Sequence, residues 1–228
     1  ASNTTASNNT AVGYQAGYSN TTGLITAFGY QAAIGSTTGS YNTGIGAQAL
    51  NATTTGSNNT AVGYQAGYSN TTSPSTTAVG YQALYSSTGG YSTAVGYKAG
   101  YASTNGGNFT AFGYQAAYST TTGGSITAVG TNSMQANTTG GYNTALGTES
   151  LYSNTTASNN TAVGYQAGYS NTTASPVTAV GYQAGYSVTA GGGGLVAMGY
   201  QAGYTQSNGG NYSVAIGDYA LKSANAGS

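Results

Sequence analysis

The sequence predicts an all-β protein, a parallel β-solenoid or β-roll of about 13 turns with about 17 residues in each, on three observations. First, the motif TAVGYQA recurs along the whole chain. Its glycine falls at Gly13, Gly29, Gly46, Gly63, Gly80, Gly96, Gly113, Gly130, Gly147, Gly164, Gly181, Gly199 and Gly217, spaced 16 to 18 residues apart and mostly 17. Second, such a unit is too short for a helical hairpin repeat or a propeller blade, so it fits one turn of a coil. Third, glycine and β-branched residues disfavour helix. Hydrophobic residues make up 38% of the chain and keep fixed places in the period, which separates it from polar low-complexity disorder.

Within a unit, the residue before the glycine is bulky and apolar: Val12, Phe28, Ile45, Val62, Val79, Val95, Phe112, Val129, Leu146, Val163, Val180, Met198 or Ile216. That column is the expected core. One residue earlier stands Ala in twelve units and Gly44 in the other, and before it Thr in eleven, so the packing there is close. Three residues after the glycine comes Ala in eleven units, with Ser133 and Ser150 in the rest, while Tyr dominates the first and fifth positions. An extended chain alternates its faces, which places those positions on one side and Gln15, Gln65 or Gln166 on the other. The unit therefore reads as two short strands, joined to the next by Ser/Thr/Asn/Gly turns that contain both prolines, Pro74 and Pro176.

Stacked turns lie roughly 4.7 to 4.9 Å apart, giving a rod about 60 Å long in which like residues superpose. Tyrosine then stacks on tyrosine, and Gln and Asn form amide ladders along the axis. A longer block, NNTAVGYQAGYSNTT, recurs at 8–22, 58–72 and 159–173, and no linker interrupts the array, so residues 1–228 read as a single repeat domain.

Composition excludes several functions. Only Lys98, Glu149, Asp218 and Lys222 carry formal charge, for a net of zero, so the basic footprint that nucleic acid or an anionic membrane requires is missing. With no His and no Cys, the usual ligands for zinc, haem and iron–sulfur centres and the nucleophilic thiol are lacking, and disulfides cannot form. No apolar stretch is long enough to span a bilayer and no signal-like leader opens the chain. Glu149 and Asp218 lie about four turns apart, too far to share acid–base chemistry, so no enzyme, cofactor or metal site is expected. The glycine string at Gly191 to Gly194 lacks the strand–turn–helix setting of a phosphate loop.

Twelve Asn-x-Ser/Thr triplets mark candidate glycan acceptors, among them Asn20, Asn58, Asn70, Asn108, Asn154 and Asn171, although turn composition alone generates such triplets. The tyrosine columns, sampled by Tyr14, Tyr18, Tyr64, Tyr68, Tyr165 and Tyr169, are candidates for self-stacking, for an interface between chains or for contact with sugar rings.

The run TAVG, and most clearly SVAIG ending on Gly217, followed by Ala three residues on, resembles the head repeats of YadA-like trimeric autotransporter adhesins and the repeats of phage tail fibres. That resemblance covers essentially the whole chain. It implies a left-handed parallel β-roll, side-by-side packing of three chains, and a surface that binds host matrix or cells. Taken with the composition, the expectation is a structural protein of an extracellular, cell-surface or virion-associated fibre, trimeric or stacked end to end, whose partner is itself. An adhesive head that binds host matrix or glycans is one alternative. Ice binding is another, weakened because the residue before the Thr column varies from Asn9 to Ile25 to Phe109.

Overall fold

The computed structural model of the chain describes residues 5–104, 107–174, 176–188, 194–206 and 212–224. They form two compact units, Ala1–Phe109 and Thr110–Ser228. Each is a stack of parallel strands with no helix among the described residues, a β-solenoid with one main strand per repeat.

In the first unit the strands are β1 (Thr10–Val12), β2 (Ile25–Phe28), β3 (Asn42–Ile45), β4 (Thr60–Val62), β5 (Thr77–Val79) and β6 (Thr93–Val95), paired in chain order. Register is strict: Thr10 faces Thr26, Thr26 faces Thr43, and Thr43 faces Thr60. In the second unit β7 (Thr110–Phe112), β8 (Thr127–Val129), β9 (Thr144–Leu146), β10 (Thr161–Val163) and β11 (Val177–Val180) continue in the same way. After them come β12 (Ser187–Val188), β13 (Leu195–Met198), β14 (Thr205–Gln206), β15 (Ser213–Ile216) and β16 (Ser223–Ala224). Of these, β13 and β15 extend the main sheet, while β12, β14 and β16 form a small second sheet.

That small sheet is the only second strand among the described residues, so the expected two-strand unit is corrected. Elsewhere the segment after the glycine is a run of tight turns. Ala16 N–H donates to the Gly13 carbonyl at 3.3 Å, Tyr18 N–H to Gln15 at 3.3 Å and Asn20 N–H to Gly17 at 3.2 Å. Positive φ at Gln15 (53°) and Gly17 (57°) lets the chain turn back twice in six residues. The turns still stack: Gln31 N–H donates to the Tyr14 carbonyl at 2.8 Å and Gly17 N–H to Ala32 at 2.9 Å. Because the segment is turned rather than pleated, Tyr and Gln both face outward, while the Ala three residues after the glycine and the residue that follows it point in.

The core is a second correction. The column from Val12 to Ile216 lies on the outer face of the strands: Val12 is 49% exposed, Phe28 56% and Ile216 67%. Alternation along each strand sends the other set inward, as in Ile25 and Ala27 against Thr26 and Phe28. The reason is space. A Cβ on Gly44 would stand 3.8 Å from the Cβ of Ala49, so the alanine two before each glycine packs directly on the alanine three after it, and a larger residue has no room.

Bulk enters the interior beside this alanine spine, at two columns that trade volume. Four residues after the glycine stand Gly17, Ala33, Leu50, Gly67, Leu84 and Gly100; four before the next glycine stand Ile25, Asn42, Asn59, Thr76, Ser92 and Phe109. A large apolar residue in one column meets a small or polar one in the other, and Leu50, Leu84, Phe109, Ile126, Met134 and Leu151 are all fully buried. Where both are small, the turn before supplies the bulk: a Cβ on Gly67 would lie 3.0 Å from Leu50 Cδ2.

Buried amides fill the remaining corners. Asn59 Nδ2 donates to Asn42 Oδ1 at 3.1 Å and to the Ser73 carbonyl at 3.0 Å, while Asn59 Oδ1 accepts Thr76 N–H at 2.9 Å. Asn160 and Asn143 repeat the pattern, with Val177 N–H donating to Asn160 Oδ1 at 2.8 Å. Each amide thus closes backbone groups at a corner where the sheet ladder has ended.

Candidate functional surface of stacked side chains

Two outward surfaces follow from this architecture. The first is the strand face, with Thr three residues before the glycine in eleven units, Val196 and Val214 there in the other two, and the Val, Ile, Phe, Leu or Met column one before it. The second is a strip made by the turned segment: a tyrosine column, a glutamine column and a second tyrosine column, at one, two and five residues after the glycine.

Both ladders expected in the strip are present. Tyr14 stacks on Tyr30 at 5.5 Å, Tyr64 on Tyr81 at 5.3 Å and Tyr81 on Tyr97 at 5.2 Å between ring centroids. In the second column Tyr68, Tyr85 and Tyr101 stack at 5.0 and 5.2 Å, and Tyr152, Tyr169, Tyr186 and Tyr204 at 5.0, 5.0 and 4.9 Å, with planes within 10° of parallel. Tyr165, Tyr182 and Tyr200 follow at 5.2 and 5.0 Å. Tyr18 stands beside Ile34 in its column, so its stack stops there. Between the rings runs an amide ladder: Gln31 Nε2 donates to Gln15 Oε1 at 2.9 Å, Gln65 to Gln48 and Gln82 to Gln65 at 2.8 Å, and Gln183 to Gln166 at 2.7 Å.

All four charged residues belong to this strip. Lys98 replaces a glutamine and its Nζ lies 5.5 and 5.2 Å from the Tyr97 and Tyr101 ring centroids; Lys222 Nζ is 4.5 Å from the Tyr219 ring. Glu149 Oε2 accepts Gln166 Nε2 at 2.7 Å, and Asp218 Oδ1 accepts Tyr200 N–H at 3.0 Å. Sequence reasoning treated these charges as isolated. Their offsets of one, two and five from the glycine already placed them among the tyrosines.

The glycan candidates divide. Asn20, Asn70, Asn154 and Asn171 are buried, and Asn20 spends its amide on its own turn, donating to the Gly23 carbonyl at 2.8 Å and accepting Gly23 N–H at 3.0 Å. In the folded chain these four are buried and so closed to glycan attachment, a correction; Asn70 Oδ1 accepts Ser73 N–H at 3.0 Å and Asn154 Nδ2 donates to the Ala157 carbonyl at 3.1 Å, so these two brace their turns as Asn20 does. Asn58 and Asn108 are exposed at positive φ. Of the glycine string, only Gly194 falls within the described residues; it lines an open cleft of about 200 Å³ with Leu195 and Tyr212. A second cleft of about 290 Å³ lies between Tyr41, Ile25 and Thr43. Neither has an acid, a base or a metal-ligand cluster in its lining, and no cluster of metal-ligating residues occurs among the described residues.

Burial within the stack raises the phenol pKa of Tyr85, with the neighbouring Tyr68 and Tyr101 adding to it. Burial does the same for Tyr169, with Glu149 next, and for Tyr186, with Tyr204 and then Glu149 next. A phenol whose folded pKa exceeds its unfolded value holds its proton more tightly in the fold, so its contribution is complete below about pH 10 and is lost as pH rises through the folded pKa. An alkaline titration followed by tyrosinate absorbance is expected to deprotonate these three last, with the urea midpoint falling above about pH 10. A midpoint that rises over that range contradicts the ladder's environment.

No family model, no curated protein and no solved structure matches the chain.

Proposed function

We propose that this chain is a structural protein, a stretch of an extracellular fibre, in which copies meet through the outer face of the main strands. The observation that carries this reading is the outward aliphatic column. Val12, Phe28 and Ile45 in the first unit and Leu146, Met198 and Ile216 in the second are between 40% and 67% exposed on that face, and an apolar sheet surface within a unit marks an interaction site. A second copy is the occupant that fits. Every formal charge lies on the other strip, so nothing on the strand face repels an identical face, and a regular column of apolar residues is complementary to its own repeat. The similarity to trimeric adhesin heads and tail-fibre repeats points the same way.

The test places charge on that face. The double variant Leu146→Lys and Val163→Lys keeps the buried Ala145 and Ala162 untouched. Sedimentation and electron microscopy are expected to show multi-chain assemblies for the natural sequence and dispersed chains for the variant, at unchanged circular dichroism. A natural chain that stays monomeric at high concentration overturns the reading.

The same face supports a second reading, ice binding. The variable residue before each Thr points inward, as Ile25 and Phe109 do, so the Thr and aliphatic columns are not interrupted by it. Thermal hysteresis in a natural chain that is already monomeric, lost on the lysine substitutions while the chain stays monomeric, selects this reading over the fibre. Adhesion to sugars has less support, because the ladder tyrosines lay their ring faces against one another.

A further inference from the structure

Tyrosine is the main oxidisable side chain of this protein. The sequence has 23 tyrosines, no Cys, no Trp and no His, and only two methionines, of which Met134 is fully buried. A chain without cysteine has no disulfide to staple its turns. Its turns instead bring phenols into register. Tyr152, Tyr169, Tyr186 and Tyr204 form a run of four rings at 5.0, 5.0 and 4.9 Å with planes 3° to 6° apart, each partly exposed, so that like ring edges stand one above the other along the strip. Tyr165, Tyr182 and Tyr200 form a parallel run of three.

We propose that these ladders are sites of oxidative cross-linking, at which a one-electron oxidant of the haem-peroxidase class joins tyrosines of successive turns as dityrosine. The inference stands on the ladder geometry within one chain and is independent of how copies assemble. Each of two neighbouring phenols gives up one electron and one proton to the oxidant. The two phenoxyl radicals then form a carbon–carbon bond between the ring carbons ortho to their oxygens. The hydrogens displaced from those carbons return the two oxygens to hydroxyls as the rings regain aromaticity. Hydrogen peroxide takes up the two electrons and two protons and leaves as two waters, so the balance is two tyrosines and one peroxide to one dityrosine and two waters.

The ladder favours this coupling because the partner ring is already in place. Radical pairing between separate chains is second order, whereas neighbours held in contact react at a high effective concentration. Rotation about the side-chain bonds of a partly exposed ring is enough to swing two adjacent edges together, and the rings in both columns keep one edge to solvent. Each link closes one turn on the next. Peeling of successive turns, the route by which a stack held by nearest neighbours comes apart, then requires breaking a covalent bond.

The experiment treats the full chain with a haem peroxidase and hydrogen peroxide over a range of protein concentrations, reads dityrosine fluorescence, and maps cross-linked peptides by mass spectrometry. Links between Tyr152 and Tyr169, Tyr169 and Tyr186, and Tyr186 and Tyr204 are expected to dominate. Their yield per chain should not depend on concentration and should exceed that of the urea-unfolded chain roughly tenfold. Tyr169→Phe keeps the ring stack but removes the phenol. It should abolish the first two links and leave the third. Links scattered over the tyrosines without regard to turn, an equal yield from the unfolded chain, or a link pattern unchanged by Tyr169→Phe each overturn the proposal.

Discussion

Replacing Gly164 by alanine is expected to destabilise the second unit by about 3 kcal/mol or more, a fall of roughly 10 °C or more in the melting temperature. Two effects add. The residue sits at φ +133°, where a side chain is strained by about 1 to 3 kcal/mol. A Cβ there would also stand 2.4 Å from the Gly181 carbonyl oxygen and 2.7 Å from its carbon. Those atoms belong to the next turn's backbone, and they cannot retreat. Gly181 N–H donates to the Val163 carbonyl at 2.8 Å, and Gln183 N–H to Tyr165 at 2.8 Å, on either side of the clash. The same approach recurs at Gly13, Gly63 and Gly113, which is why the repeat can be aligned on this glycine at all. The exposed Thr156→Ala is the control, with a change within about 0.5 kcal/mol. A Gly164→Ala chain that melts with the natural one would mean the turns can part without cost.

The period, the parallel pairing and the ladders were legible because they depend only on which residue recurs at which offset. Thr10, Thr26 and Thr43 had to lie in register once the chain coiled with a fixed period. Which face pointed inward was a question of phase, and there bulk misled: Val12 and Phe28 read as core, yet the wall opposite is too near for anything but alanine. The deciding signal was three residues earlier, at Ile25, Phe109, Ile126 and Val177, whose spacing of two from the alanines puts both sets on one side. It was obscured because Asn42, Asn59 and Ser92 occupy the same column, and buried Asn looks like surface until its amide is seen bracing a corner. The turned segment was less legible still. Gln15, Gln31 and Gln65 take φ near 53°, a conformation that glutamine does not advertise. The glycines at Gly17 and Gly67 were the available hint that positive φ recurs nearby. Of the candidate sites, the tyrosine columns stack except at Tyr18, whose column neighbour is Ile34, whereas the glycan acceptors Asn20, Asn70, Asn154 and Asn171 are buried, because composition cannot separate a turn's solvent side from its interior.

If the two interior columns trade volume, mutations in them should compensate. Leu151→Ala alone removes a fully buried side chain and should cost about 2 to 5 kcal/mol, the range for a core cavity. Gly168→Leu alone should cost about 1 to 3 kcal/mol from overpacking, since a Cβ there would already stand 2.9 Å from Leu151 Cδ2. Backbone strain is the smaller part of that cost. Leu50, Ala117 and Met134 occupy the equivalent position at φ 50° to 52°, close to the 61° of Gly168, so the column accepts side chains wherever the neighbouring turn leaves room. Combining the two changes moves the leucine one turn along the axis into the space vacated. The double variant is therefore expected to be more stable than the sum of the singles by about 1 kcal/mol or more, measured from urea midpoints at constant slope. Strict additivity would show that Leu151 and Gly168 do not share a space, and that the alternation of Gly17 with Ile25 and of Leu84 with Ser92 is composition rather than packing. Coupling would mean that the interior is filled by pairs of turns, so that a new repeat can be inserted only where its bulk suits the turn beneath it.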